Sequence, residues 1–223
     1  MFRRFLLLLS CLFFSTSYAG SAVHYSSNCL EGNGTFAEKA RNIKGYESIV
    51  VQGAFTVLVS LGDDYRCTIG GDANLLSHIV TRVENRELQI DTDRSLCMMQ
   101  PLVITLQVPR LDRFYADGSH DIRLSGLTGQ RFEFELQGAN AARLSGTVEH
   151  LIGEVHGTSE MDAFDLKADL VTIHASGTAS AKVQALQQLE VSASGVTDVS
   201  YQGKPQQIRT HLDDLATVHP AGS

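Results

Sequence analysis

The sequence predicts an all-β chain: a β-solenoid or β-helix-like stack of coils about 19 residues long, preceded by a β-meander with one short helix. Three observations carry this. Glycines recur at Gly118, Gly138, Gly157, Gly177 and Gly195, with spacings of 20, 19, 20 and 18 residues, and a fixed period of that length marks stacked repeats. Around them, side chains at offsets −4, −2, +4 and +6, beginning with Phe114, Ala116, Ile122 and Leu124, are apolar or tyrosine in nineteen of twenty cases, whereas a chain that is 43% hydrophobic predicts about nine. At offsets −3, −1 and +5 only Tyr115 of fifteen is hydrophobic, which separates an inward row from an outward one.

The elements follow in order. Arg3 and Arg4 precede an apolar run from Phe5 to Phe14, and Ser17-Tyr18-Ala19 has small residues at both cleavage-determining positions, so residues 1–19 read as a secretory signal peptide. The run is far below the roughly twenty residues that a spanning helix needs, so no transmembrane span is expected. Leu8-Leu9-Ser10-Cys11 loosely imitates a lipoprotein box, but the apolar run continues past Cys11, which favours cleavage after Ala19. Residues 20–41 are polar and aperiodic and are expected to form a poorly ordered leader.

Residues 42–219 form the folded β domain, with the meander at 42–109 and the glycine-repeat coils at 110–219. In the meander, Ile49 to Val59, Tyr65 to Ile69, Ile79 to Val83, Glu87 to Asp91 and Leu102 to Val108 are short β-favouring runs punctuated by glycine, with Pro101 and Pro109 bracketing the last. Asp72 to Leu76 is the helix-capable interruption, Asp72 being its N-cap. In the coils, the inward residues include Ala116, Ala142, Ala163, Ala175, Ala181 and Ala193, so the interior is narrow and any function lies on an outer face or at an end.

Removal of the signal peptide leaves 16 basic and 25 acidic residues, a formal charge of −9, which makes nucleic acid a poor partner. Cys29, Cys67 and Cys97 then remain in an oxidising compartment, where one disulfide and one leftover thiol are expected. Composition does not choose among the pairings. Cys67–Cys97 is favoured because Cys67 lies in a strand and Cys97 in the loop entering a later one.

The run Ile49-Val50-Val51-Gln52-Gly53-Ala54-Phe55-Thr56-Val57, with Gly71-Asp72-Ala73-Asn74-Leu75-Leu76, Leu88-Gln89-Ile90 and Tyr201-Gln202-Gly203-Lys204-Pro205 in that order, resembles the bacterial secreted head GIN domain of putative auto-transporter adhesins, over roughly residues 42 to 219. The resemblance implies a β-solenoid-like fold and an extracytoplasmic setting, and it brings no catalytic residues. The chain departs from the family at Asn85-Arg86, where Asn-Gly is usual, and at Asp213-Asp214, where Ser-Gly is usual.

Stacking converts offsets into columns. Offset −3 reads Tyr115, Glu135, Glu154, His174, Ser192, and offset −1 adds Asp117, Gln137 and His156 to the same face. Glu135, Glu154 and His174 are therefore candidate ligands of a divalent cation such as zinc, against the plainer reading of a solvated strand face. On the other face Arg143 and Asp162 are expected to pair, and Arg123 with Arg143 is a candidate anion site for a carboxylated sugar or another acidic ligand.

The function expected is a non-catalytic binding or adhesion module, secreted or envelope-associated, whose partner is an envelope or extracellular protein or a glycan. No cofactor is implied. The alternatives are a polysaccharide-acting β-helix enzyme using Glu135 and Glu154, or a purely structural envelope assembly protein. No H-E-x-x-H or G-x-S-x-G motif supports catalysis, and there is no Trp to stack on a sugar ring.

Overall fold

The computed structural model describes residues 28–222, so the signal peptide and the first part of the leader lie outside the described residues. In chain order the strands are β1 (Leu30–Glu31), β2 (Phe36–Ala40), β3 (Ser48–Leu61), β4 (Arg66–Asp72), β5 (Ile79–Glu84), β6 (Glu87–Thr92), β7 (Leu96–Cys97) and β8 (Val103–Val108). The second half continues with β9 (Arg113–Gly138), β10 (Ala141–Gly157), β11 (Glu160–Gly177), β12 (Ser180–Gly195), β13 (Asp198–Gln202), β14 (Gln207–Leu212) and β15 (Thr217–Pro220). The chain is all-β. The expected short helix is only a 3-10 turn at Leu76–His78.

From β9 to β12 each strand pairs in parallel with the next, one glycine repeat further along the chain. Glu154 on β10 thus lies between Glu135 on β9 and His174 on β11. The inward row is buried along its length: Phe114, Leu136, Val155, Ile173, Val191 and Val199 belong to one core that reaches back to Tyr46. Burying each such side chain contributes about 1.5–3 kcal/mol, which is where the stability of so flat a repeat resides.

The first half is not a meander. β3 pairs in parallel with β6, β8 and β9, and only β2–β4, β4–β8 and β5–β6 are antiparallel. The reason is visible around Gly53: Ile49, Val51, Val57 and Val59 occupy the same offsets as the inward residues of the later repeats, and Gly53 pairs with Gly118. β3 is therefore the partner that continues the parallel register beyond β9.

The leader is ordered where it is described. β1 pairs with β7, and β2 pairs antiparallel with β4. Asp72 fastens this corner instead of capping a helix: its fully enclosed carboxylate accepts the N–H groups of Gly34 at 2.7 Å, Met99 at 2.8 Å and Gln100 at 2.9 Å. Burial pushes its pKa up, and those three backbone donors more than reverse the effect, holding it below the usual carboxylate value.

The disulfide joins Cys29 to Cys97, with Cα atoms 5.6 Å apart, and not Cys67 to Cys97. Cys67 shares the inward phase of Ile69 on β4 and is 3% exposed, a free thiol enclosed in the core. Burial raises that thiol to about 11. The hairpin between β5 and β6 keeps a left-handed turn although Arg86 replaces glycine: Asn85 and Arg86 have φ of 50° and 64°, and the Arg86 guanidinium pairs with Glu47. Asp214 likewise has φ of 61°, and its carboxylate accepts the Gly195 N–H at 3.1 Å.

Candidate functional site

In the parallel strands β9 to β12 the outward residues of one face align into two adjacent polar columns, which continue onto β14 through the register of Ser192 with His211. At the β9 end, Arg113 Nη2 donates to Glu135 Oε2 at 3.4 Å and Gln137 Nε2 donates to Glu135 Oε1 at 2.9 Å. In the middle, His156 Nδ1 lies 2.7 Å from Ser176 Oγ, and its Nε2 lies 3.6 Å from Glu154 Oε2. Further on, His174, His156 and His211 with Asp213 line a shallow depression of about 260 Å³, and His211 Nε2 is 3.7 Å from Asp213 Oδ2.

The expected metal trio is thus aligned but not assembled. Glu135 is engaged by Arg113 and Gln137, and Glu154 turns toward His156 rather than His174. Among the described residues no three His, Cys, Asp or Glu side chains are grouped so as to hold a metal ion. The expected anion site fares similarly. Arg143 is in register with Arg123 and Asp162, yet Arg123 reaches its own neighbour Asp121 at 3.4 Å, and Asp162 Oδ1 accepts the Phe164 N–H at 3.2 Å. The Arg143–Asp162 pair does not form among the described residues; Lys182 pairs with Glu160 at 2.9 Å instead, a hydrogen bond that raises the lysine's pKa.

Two features had no counterpart in the sequence reading. The first is a cleft of about 710 Å³ beside the polar face, where Arg110, Arg113 and Arg131 enter with Asp112 and Glu133. Arg110 binds Asp112 and Arg131 binds Glu133, each at 2.7 Å, so two of its three arginines are compensated within the cleft, and Arg113 reaches Glu135 outside its lining. The two arginines are exposed and the two carboxylates half-buried, and each pair is worth under ~1 kcal/mol to the fold.

The second is a buried polar ladder at offset +2 from the glycines. His120 Nδ1 accepts the Phe55 N–H at 3.2 Å, Asn140 Oδ1 accepts the His120 N–H at 3.1 Å, and Ser159 Oγ accepts the Asn140 N–H at 3.3 Å. These residues are polar in the inward phase, which is the signal that marks them. Their role is to satisfy the backbone at the bend.

Glu154, His156 and Ser176 follow the order acid, imidazole, hydroxyl on an open strand face. The N–H groups of these strands point along the sheet to neighbouring strands, so the face offers no converging donors for a developing oxyanion.

This all-β architecture is shared with known proteins. The chain belongs to the family described as "Putative auto-transporter adhesin, head GIN domain", whose model matches residues 45–205. A crystal structure named as a putative adhesin from Bacteroides fragilis superposes with a TM-score of 0.71 at 17% identity, covering 86% of this chain and 99% of that one. A putative adhesin from Parabacteroides distasonis gives 0.57 at 16% identity, covering 87% and 100%. A protein from the same species named as a putative lipid binding protein gives 0.52 at 18% identity, covering 86% and 99%. At these identities the likeness is one of fold. No curated protein matches the chain.

Proposed function

We propose that this domain is an extracytoplasmic, non-catalytic binding module of adhesin type, a β-solenoid whose outer face recognises an envelope or extracellular protein or a glycan. The observation that carries the reading is the continuous polar surface from Arg113–Glu135 through Glu154–His156–Ser176 to His211, set on parallel strands about 4.8 Å apart beside the arginine-lined cleft. Export through residues 1–19 fits that role, as does membership of an adhesin family. No described helix is long and apolar enough to cross a membrane.

A polysaccharide-acting enzyme would need Glu135 and Glu154 free to exchange protons, whereas Glu135 accepts from both Arg113 and Gln137. The test is binding of the mature protein to envelope fractions and to a glycan panel. Arg113→Ala combined with His156→Ala is expected to weaken capture about tenfold, with an unchanged melting temperature. Undiminished capture overturns the assignment of this face, and polysaccharide turnover lost in Glu135→Gln overturns the non-catalytic reading.

One observation favours a second reading, an apolar ligand. A cleft of about 350 Å³ near the disulfide has one wall of Ala54, Phe55, Met98, Pro101 and Leu102, facing Ser119, His120 and Asp121, and one similar structure bears a lipid-binding name. Saturable binding of a fluorescent fatty acid, abolished by Met98→Asp at the exposed rim of this cleft, would favour it over the polar face.

A further inference from the structure

The parallel strands end on an open edge. β14 pairs with β12 along one side, and no described strand occupies its other side. Its Ile208, Thr210 and Leu212 lie in register with Leu189, Val191 and Ala193, so they extend the inward row of the core by one strand. Nothing described covers them: Ile208 is 45% exposed, Leu212 39%, and Leu215 on the following turn 72%. A repeat array requires a polar terminal cap, and an open apolar edge strand is a template for another strand.

The sequence of this edge is complementary to itself read backwards. Arg209 and Asp213 flank it on the outward side, two residues either side of His211, and the Arg209 guanidinium has no ion-pair partner among the described residues although Glu190 is beside it in register. We infer that this edge is a homodimer interface, closed by antiparallel pairing of β14 with β14 of a second copy about a two-fold axis through Thr210. That register places Ile208 opposite Leu212 of the second copy, twice, so the inward rows of both molecules continue into one another. On the outward side it sets Arg209 opposite His211 of the second copy and within diagonal reach of its Asp213, twice, with the two Arg209 side chains on the remaining diagonal, because long side chains bridge the 7–8 Å of a diagonal pair. The contact is isologous and closes on itself, so β14 recruits no third copy. It shares His211 and Asp213 with the far end of the polar face described above, but Arg113 and His156 take no part, so failure of the one reading is distinguishable from failure of the other.

Sedimentation equilibrium of the mature, disulfide-intact protein tests this. A reversible dimer is expected. Arg209→Asp alone and Asp213→Arg alone should each weaken it about tenfold or more by placing like charges together, and the double exchange should restore the wild-type association constant. Circular dichroism confirms that each variant is folded; Asp213 contacts only His211 through its side chain, so neither exchange removes a core contact. A wild-type monomer at every accessible concentration overturns the inference. So does a dimer indifferent to the single exchanges, or one in which the double exchange is no better than either.

Discussion

Gly157 faces the carbonyl oxygen of Gly138 so closely that a Cβ on Gly157 would lie 2.5 Å from it, and Gly157 has φ of +80°. The same relation recurs from Gly177 to Gly157, at 2.7 Å, and from Gly195 to Gly177, at 2.5 Å. Each oxygen is fixed, because Thr158 N–H donates to Gly138 O and Thr178 N–H to Gly157 O, both at 2.8 Å. The glycine period therefore records two demands at one position: a left-handed backbone and close approach of the preceding strand.

Gly157→Val should accordingly lower stability by more than ~2 kcal/mol, since neither the backbone oxygen nor the φ value relaxes cheaply. Gly157→Ala should do nearly as much, because the clash is already complete at Cβ. Denaturant melts read the effect, and an unchanged midpoint in the alanine variant would mean that the strands are not held in this register.

The disulfide yields a second prediction. Cys29→Ser should cost about 4 kcal/mol on the chain-entropy view, because the bond closes a sequence separation of 68 residues. Cys67→Ser should leave the bond intact. Unreduced protein unfolded in guanidinium should show one titratable thiol among the three cysteines of the folded domain, and the native protein essentially none, since Cys67 is buried and its thiol is raised to about 11. Peptide mapping that links Cys67 to either other cysteine would contradict this pairing.

Much of the fold was legible in the sequence because a period of about twenty residues with two inward offsets admits few architectures. What escaped it was separated in sequence. Gly53 carries the same inward offsets as Gly118, but 64 residues lie between them, so no local period announces that β3 joins the parallel set. Cys67 was legible in principle, since its phase with Ile69 already turns it inward, whereas Cys29 lay in a segment with no period to interpret. The candidate site was legible as columns but not as contacts. Register fixes that Glu154 neighbours His174, while rotamers decide that its carboxylate turns to His156.

The polar ladder gives the last prediction. His120 Nδ1 accepts the Phe55 N–H, so the ring proton sits on Nε2, directed at Asp117 O 3.2 Å away, and the imidazole is neutral in the fold. Burial pushes its pKa below the ordinary histidine value, against the opposing pull of the Asp117 carbonyl. An unfolded histidine takes up its proton near pH 6.5, before the folded one does. Below that pH the unfolded chain binds the extra proton, so stability is full above about 6.5, falls as the pH drops, and levels off once the folded pKa is passed. His150 shifts in the same direction through burial and Arg131, and His219 in the opposite one, so the informative quantity is the difference between wild type and His120→Asn. Asparagine is the residue that fills this position on the next strand at Asn140, and it does not titrate. Unfolding free energies measured from pH 7.5 to 5 should therefore slope less in the variant than in the wild type. The acid loss due to Asp72 lies in a separate window, below its ordinary value of 3.8, because a lowered folded pKa withdraws stability only as the pH falls from there toward the folded pKa. Identical slopes above pH 5 would show that His120 takes up its proton at the same pH in the folded and the unfolded chain, so that burial does not hold its ring neutral and the Phe55 N–H is satisfied in some other way.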